Sequence, residues 1–326
     1  MSRRLLVSLA FACCLISPLA GQSSSYTPPR TPDGQPDLQG FWTNATFTPL
    51  ERPKNVTKEF YTPEEAAEVE KRLIAADVEQ TEPGTIEDVH YDFTQFGLDT
   101  HQAPFAALRR TSMIVDPPDG RLPALSEEGR RRAAERAAAE KRAGRWDSAQ
   151  TNQLDDRCVI FAGAGPPMMP QSYNSNYQIV QAPGYVMILF EMAHDARIIP
   201  IDGRAHVHDG LRQWIGDSRG RWEGGTLVIE TTNFNGKNPI YGSSEKMRVT
   251  ERFTRVDAET IRYQFTVEDS ATWTRPWSAE LGMRKTTGPL FEHACHEGNY
   301  GLYNTLAGAR LAEKKAAEEA AKKGSK

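Results

Sequence analysis

Alternating apolar and polar positions organise the second half of the chain. The stretch Thr260–Glu268 alternates strictly, and Trp277–Arg284 repeats the pattern. A period of two is typical of a β-strand with one buried face and one solvated face. Further β-prone stretches lie at Tyr177–Gln181, Tyr185–Phe190, Arg197–Ile201, Gly225–Thr232, Met247–Val256 and Leu290–Ala294. Because turn residues separate them at hairpin spacing, we predict an antiparallel meander that curls into a barrel or half-barrel.

Helical signals dominate the first half. A helix is predicted from Thr62 to about Val78, because a capping hydroxyl precedes a proline and two glutamates. An alanine-rich and charged stretch predicts a second helix over 126–144. Short strands are expected at Phe41–Phe47 and Arg109–Val115. The predicted fold class is therefore mainly β: one domain over 37–301 with a helical and loop insertion at about 62–144, then a charged helical or disordered tail over 302–326.

The first residues predict export. Arg3 and Arg4 precede an apolar run that ends in small residues, which is the layout of a signal peptide over 1–22. Residues 23–36 are rich in Ser, Thr, Pro and Gly and predict an extended lead-in. The formal net charge of −4 gives no reason to expect a nucleic-acid partner. We expect a periplasmic or secreted protein, free of the membrane after signal removal, whose oligomeric state the sequence leaves open.

Export also affects how the cysteines are interpreted. Two of the four leave with the signal, so that Cys158 and Cys295 remain in an oxidising compartment. They either form one disulfide or stay as two separate buried thiols.

The hairpin predicted over Tyr185–Gly203 has ionisable groups in its connection, namely Glu191, His194 and Asp195. A histidine oriented by a carboxylate can take and return a proton near neutral pH, which indicates general acid/base catalysis. A second pair, His296 and Glu297, follows a predicted strand end. We expect the two groups to open at the same end of the barrel within about 10 Å, a distance that a small substrate can bridge.

Two more residues complete this catalytic hypothesis, since Arg197 or Tyr300 could stabilise developing negative charge. A less favoured alternative is a metal site at His206 and His208 with a carboxylate. A third interpretation is structural, with His194 and Asp195 capping the turn. The chain lacks a phosphate-binding loop, a nucleophile elbow and a dinucleotide-binding fingerprint, and we expect no cofactor.

Two resemblances add to this account. Gly40–Phe41–Trp42 resembles the opening of lipocalins and related calycin barrels, which implies a ligand pocket lined by inward residues. Those residues would be Tyr263, Phe265, Trp277 and Met283. The segments HDARIIPIDGR, WIGDSRGRWEGGTLVIETTNF, ERFTRVDAETIRY and ACHEGNYG resemble a large group of exported bacterial proteins of uncharacterised function. The second resemblance implies no activity.

The function predicted from these features is a cofactor-independent lyase, isomerase or hydrolase. It would act by general acid/base chemistry on a small apolar or glycosidic molecule held in a barrel pocket. The alternative, from a different class, is a non-catalytic periplasmic carrier of a hydrophobic ligand.

Overall fold

The computed structural model describes residues 26–77, 109–142, 144, 146–171, 174–192 and 195–324. The strands in this part of the chain are β1 (Gly40–Thr43), β2 (Ile114–Asp116), β3 (Asn176–Ala182), β4 (Tyr185–Phe190), β5 (Ala196–Pro200), β6 (Asp217–Glu223), β7 (Thr226–Thr232), β8 (Arg248–Arg255), β9 (Thr260–Glu268) and β10 (Trp277–Thr286). The helices are α1 (Pro63–Asp77), α2 (Glu127–Arg142) and α3 (Tyr300–Gly324). The prediction of a mainly β chain with a helical insertion and a C-terminal helix is confirmed.

All the strands join one antiparallel sheet in the order β5-β4-β3-β1-β10-β9-β8-β7-β6, and β2 pairs with β10 outside that path. Strand β1 pairs with both β3 and β10, so it joins the two halves of the meander. The edge strands β5 and β6 lie side by side without a hydrogen-bonded ladder. Arg197 Nη2 donates to Ser218 Oγ at 3.3 Å, and a Cβ on Gly220 would lie 2.7 Å from Ile201 Cγ2. The sheet therefore curls into a barrel that is open along one seam.

The barrel core follows the predicted alternation. In β9 and β10 the buried residues are Ile261, Tyr263, Phe265, Val267, Trp277, Ala279, Leu281 and Met283. In β1 Trp42 is fully buried, and its Nε1 donates to Leu38 O at 2.9 Å. The guanidinium of Arg255 lies 5.5 Å from the Trp42 ring centroid, a cation–π distance. Burial of each large apolar side chain contributes about 1.5–3 kcal/mol. The likeness of this end to calycin barrels stays a prediction.

The segment 160–169 enters the barrel interior. Tyr177 Oη donates to Gly163 O at 2.8 Å, and the N–H of Met168 donates to Tyr263 Oη at 2.9 Å. A Cβ on Gly163 would overlap the ring of Phe190, so only glycine fits this crossing. A disulfide joins Cys158, just before the segment, to Cys295. The predicted pairing of the two cysteines is confirmed, and it anchors the C-terminal part of the chain beside the barrel.

Several predicted boundaries are wrong. Leu290–Ala294 forms no strand, because the N–H of Phe291 bonds to a carboxylate rather than to a neighbouring strand. The predicted strand Arg109–Val115 is reduced to an isolated antiparallel bridge between Arg110 and Phe60 and to the start of β2, and β1 ends at Thr43. The sequence pattern missed β6 altogether. Its inward position at Gly220 has no apolar side chain, because Ile199 and Ile201 occupy the adjacent space.

The helix starts agree with their capping signals. At α1, Thr62 Oγ1 accepts the N–H of Glu65 at 3.3 Å while Glu65 Oε2 accepts the N–H of Thr62 at 2.9 Å, a reciprocal capping box. At α2, Ser126 Oγ accepts the N–H of Gly129 at 2.9 Å. Residues 30–36 form a closed turn with Thr31 buried, so this part of the predicted lead-in is folded. No helix within the described ranges is long and apolar enough to cross a membrane.

Candidate functional site

The charged hairpin predicted from the sequence is present as β4 and β5. Its first carboxylate, Glu191, is only 4% exposed. Glu191 Oε2 accepts a bond from Asn176 Nδ2 at 2.6 Å, and Oε1 accepts the N–H of Phe291 at 2.8 Å. These bonds hold the end of β4 against the segment that leads to Cys295. His194 lies outside the described residues. The backbone carbonyl oxygen of Asp195 accepts the N–H of Phe190 at 2.8 Å.

The predicted C-terminal partners occupy a turn over 295–299. His296 and Glu297 are exposed, and Tyr300 is 73% exposed at the start of α3. The chain just before this turn contacts the hairpin through the hydrogen bond that the backbone N–H of Phe291 donates to Glu191. The two segments therefore meet, whereas the side chains of His296 and Glu297 face solvent. Their separation of about 10 Å from the hairpin carboxylates stays a prediction.

Arg197 points into the barrel and pairs there with Glu251. The Nη1–Oε1 distance is 3.0 Å, Nη2 also contacts Oε2, and both side chains are buried. Tyr263 Oη donates to Glu251 Oε1 at 2.7 Å. Burial by itself would lower the pKa of Arg197, but the Glu251 carboxylate raises that pKa above its usual value. Burial, followed by the Glu251 charge, raises the pKa of Tyr263 well above 10. The guanidinium is thus charged and the phenol is protonated.

A cleft of about 250 Å³ opens at the seam beside this network. Its lining residues are Ala196, Arg197, Ile198, Gln213, Ile215, Gly216, Asp217 and Ser218. Arg197 and Ser218 form its inner side, where Ser218 Oγ lies 3.3 Å from Arg197 Nη2 and 2.8 Å from Thr231 Oγ1. We refer to it as the seam cleft.

The backbone of β5 also faces the seam cleft. The backbone carbonyl of Asp195 accepts the N–H of Phe190, and the N–H of Ile201 donates to Gly184 O, so the residues just before and just after β5 bond to the β4 side of the hairpin. Alternate residues of an antiparallel strand turn their backbone groups the other way. The N–H and C=O groups of Ala196 and Ile198 are therefore directed at the seam, where they add neutral donors and acceptors to the charged Arg197.

The two histidines of the alternative metal site have different partners. His206 Nδ1 lies 2.8 Å from Asp217 Oδ2 and its Nε2 lies 3.4 Å from Glu230 Oε1, on the outer face of the sheet. His208 Nδ1 accepts the N–H of Gly210 at 3.0 Å. Asp217 also accepts the N–H of Val207, which fixes this loop at the rim of the seam cleft. Across the described ranges, no group of three metal-binding side chains is found.

The four residues predicted to contact a ligand are all buried. The ring centroids of Tyr263 and Phe265 are 5.6 Å apart, and those of Phe265 and Trp277 are 5.7 Å apart. Met283 is fully buried in the same core. These side chains pack against one another and against the core, and a ligand-binding role for them stays a prediction.

Glu251 and Ser218 were not among the site residues predicted from the sequence. Glu251 lies between Val249 and Phe253 on the face of β8 that points into the barrel. A charged residue among the apolar positions of an alternating strand is a sequence signal that could have identified it. Ser218 lies in β6, whose sequence has no strand pattern.

Comparison with protein-family models, curated proteins and solved structures found no match to this chain.

Proposed function

We propose that the protein is a cofactor-independent lyase, isomerase or hydrolase that performs general acid/base chemistry in the seam cleft. The observation that carries this proposal is the buried Arg197–Glu251 pair, with Tyr263 Oη on the carboxylate, beside a cleft that Arg197 and Ser218 line. A positive charge, a carboxylate and a protonated phenol are the groups that proton transfer and charge stabilisation need.

Stability alone gives no strong reason for this pair. Removing two charges from water costs several kcal/mol per ion, and replacing a buried pair by apolar residues is often neutral or stabilising by about 1–4 kcal/mol. Aromatic rings pack against this network, with Phe253 and Phe265 in contact with Tyr263. Buried charged groups in such surroundings are candidates for function.

The roles follow from the protonation states. Arg197 stabilises negative charge that develops on a carbonyl or leaving-group oxygen. Glu251 orients the guanidinium and serves as the proton acceptor, and Tyr263, which stays protonated because its pKa is raised, positions the Glu251 carboxylate through its hydroxyl. Ile198 and Ile215 give the cleft apolar walls. The expected substrate is a small molecule with one polar acceptor group and an apolar remainder.

The experiment screens the purified mature protein for two reactions. Small ketones and carboxylates in D₂O report proton abstraction by NMR, and aryl esters and aryl glycosides report hydrolysis by released phenol. We compare wild type with Arg197→Met/Glu251→Leu, which removes both charges together. Arg252→Met is the matched control, because Arg252 neighbours Glu251 in β8 but points outward to Glu223.

The proposal predicts that at least one compound reacts with wild type and Arg252→Met and does not react with the double variant. Activity that survives in a folded double variant would place the reaction elsewhere. Saturable binding of an apolar compound without any turnover would support the carrier instead.

A further inference from the structure

A second depression lies on the other flank of the hairpin. Its volume is about 280 Å³, and its lining residues are Leu189, Phe190, Glu191, Leu290, Phe291 and Glu292. Leu189 pairs with Ala196 across the β4–β5 ladder, so that ladder separates this groove from the seam cleft. We propose that this groove, called the Glu191 groove, binds a small organic ammonium ion, a primary amine with an apolar body.

Glu191 supplies the first argument, because it is a buried carboxylate for which the described residues provide no cationic partner. Its two oxygens accept bonds from the Asn176 amide and from the Phe291 N–H, both neutral donors, and no ion pair to it forms among the described residues. Burying an ionised carboxylate is costly unless a cation or enough hydrogen bonds compensate it. Each carboxylate oxygen can accept two bonds, so both retain capacity for an ammonium N–H.

The walls of the groove supply the second argument. Phe291 is 72% exposed and stands beside the half-buried Leu189 and Leu290. An aromatic face attracts an ammonium ion and also packs against an apolar body. Glu292 places a second negative charge at the exposed rim. Acidic and apolar surfaces together match a cation that carries a hydrocarbon part.

A metal ion fits this groove less well. Calcium takes about six to eight oxygen ligands and magnesium needs near-octahedral coordination. The groove offers two carboxylates, and the described residues contain no group of three side chains placed to hold a metal. An ammonium ion needs only two or three acceptors, which Glu191 and Glu292 provide.

The groove is also held together before a ligand arrives. The Glu191–Phe291 hydrogen bond connects its two walls, and the Cys158–Cys295 disulfide anchors the segment that follows Phe291. A site with fixed walls loses less conformational entropy on binding.

The test measures binding of benzylammonium to the full mature protein by calorimetry, with benzyl alcohol as a neutral compound of similar shape. We expect benzylammonium to bind at least about tenfold more tightly than benzyl alcohol, the lower end for hydrogen bonds to charged groups. Glu191→Gln should raise the Kd by about tenfold or more. Glu140→Gln, the same charge change on the exposed face of α2, should leave the Kd unchanged.

Three outcomes would overturn the proposal. They are equal binding of the alcohol and the ammonium ion, displacement of benzylammonium by millimolar Ca²⁺ alone, and no binding of either compound to folded wild type. If Glu191→Gln fails to fold, Glu292→Gln and Phe291→Leu take its place, since both residues are exposed, and each must weaken benzylammonium binding several-fold. The result does not depend on the seam cleft, because Arg197→Met/Glu251→Leu should bind benzylammonium like wild type.

Discussion

The Arg197–Glu251 pair allows a quantitative test of how charges are tolerated inside the barrel. Glu251→Leu leaves the Arg197 guanidinium buried without its counter-charge and removes the acceptor of the Tyr263 hydroxyl. Breaking a buried pair from one side costs about 3–5 kcal/mol, and the lost tyrosine bond adds about 1 kcal/mol. In Arg197→Met/Glu251→Leu no charge remains unpaired. Its unfolding free energy should therefore lie close to that of wild type, or above it by about 1–4 kcal/mol.

Urea unfolding followed by tryptophan fluorescence measures this cycle, with Arg197→Met as the other single variant. The coupling energy between the two positions should be several kcal/mol. The reason is that the stability losses of the two single variants should add up to much more than the change in the double variant. Equal m-values across the set would show that the same surface is exposed in each case. A coupling energy below about 1 kcal/mol would refute the reasoning, since exposed pairs reach that value without burial.

Three further predictions concern the rest of the fold. Gly163→Ala should destabilise the protein by about 1–3 kcal/mol because its Cβ overlaps the Phe190 ring. Gly225→Ala, where nothing lies within 4 Å of the added Cβ, should change stability by less than about 0.5 kcal/mol in the same urea assay. The variant Cys158→Ser/Cys295→Ser should lose about 2–5 kcal/mol, because the disulfide closes a sequence separation of 137 residues. Oxidised wild type that is no more stable than reduced wild type would contradict that. Stability should fall as pH rises above about 10, because unfolded tyrosines ionise there while Tyr263 keeps its proton in the folded state. Tyr263→Phe should reduce this alkaline loss without abolishing it, because burial also raises the pKa of Tyr177. An unchanged slope in a urea series from pH 8 to 11 would count against the raised pKa of Tyr263.

The strands that bury one face could be predicted from the sequence, because the core requires their alternation. The prediction for β9 coincides with the structure, and β4 agrees at both ends. Strand β6 could not be found in this way, since Gly220 faces inward and arginines occupy its outer face. Leu290–Ala294 has the composition of a strand but does not form one, and its Phe291 N–H bonds to the Glu191 carboxylate instead of to a neighbouring strand.

The candidate site was only partly predictable for a related reason. Glu191 and Arg197 lie close in sequence and were singled out there, yet each has a partner far along the chain, Phe291 and Glu251 respectively. Glu251 reaches Arg197 only because the sheet curls until β5 lies beside β6. The alternation of β5 shows that Arg197 points inward, whereas the identity of its counter-ion depends on the closure of the barrel. His296 and Glu297 were placed on an expected strand end that is a turn.

The central claim is that the Arg197–Glu251 pair performs chemistry in the seam cleft. The most direct measurement is the rate at which folded Arg197→Met/Glu251→Leu converts the compound that wild type turns over, at equal concentrations of folded protein. The account predicts a loss of at least about 10²–10³-fold, the range for removing a group that stabilises developing charge. A double variant that is folded and retains the wild-type rate would contradict it.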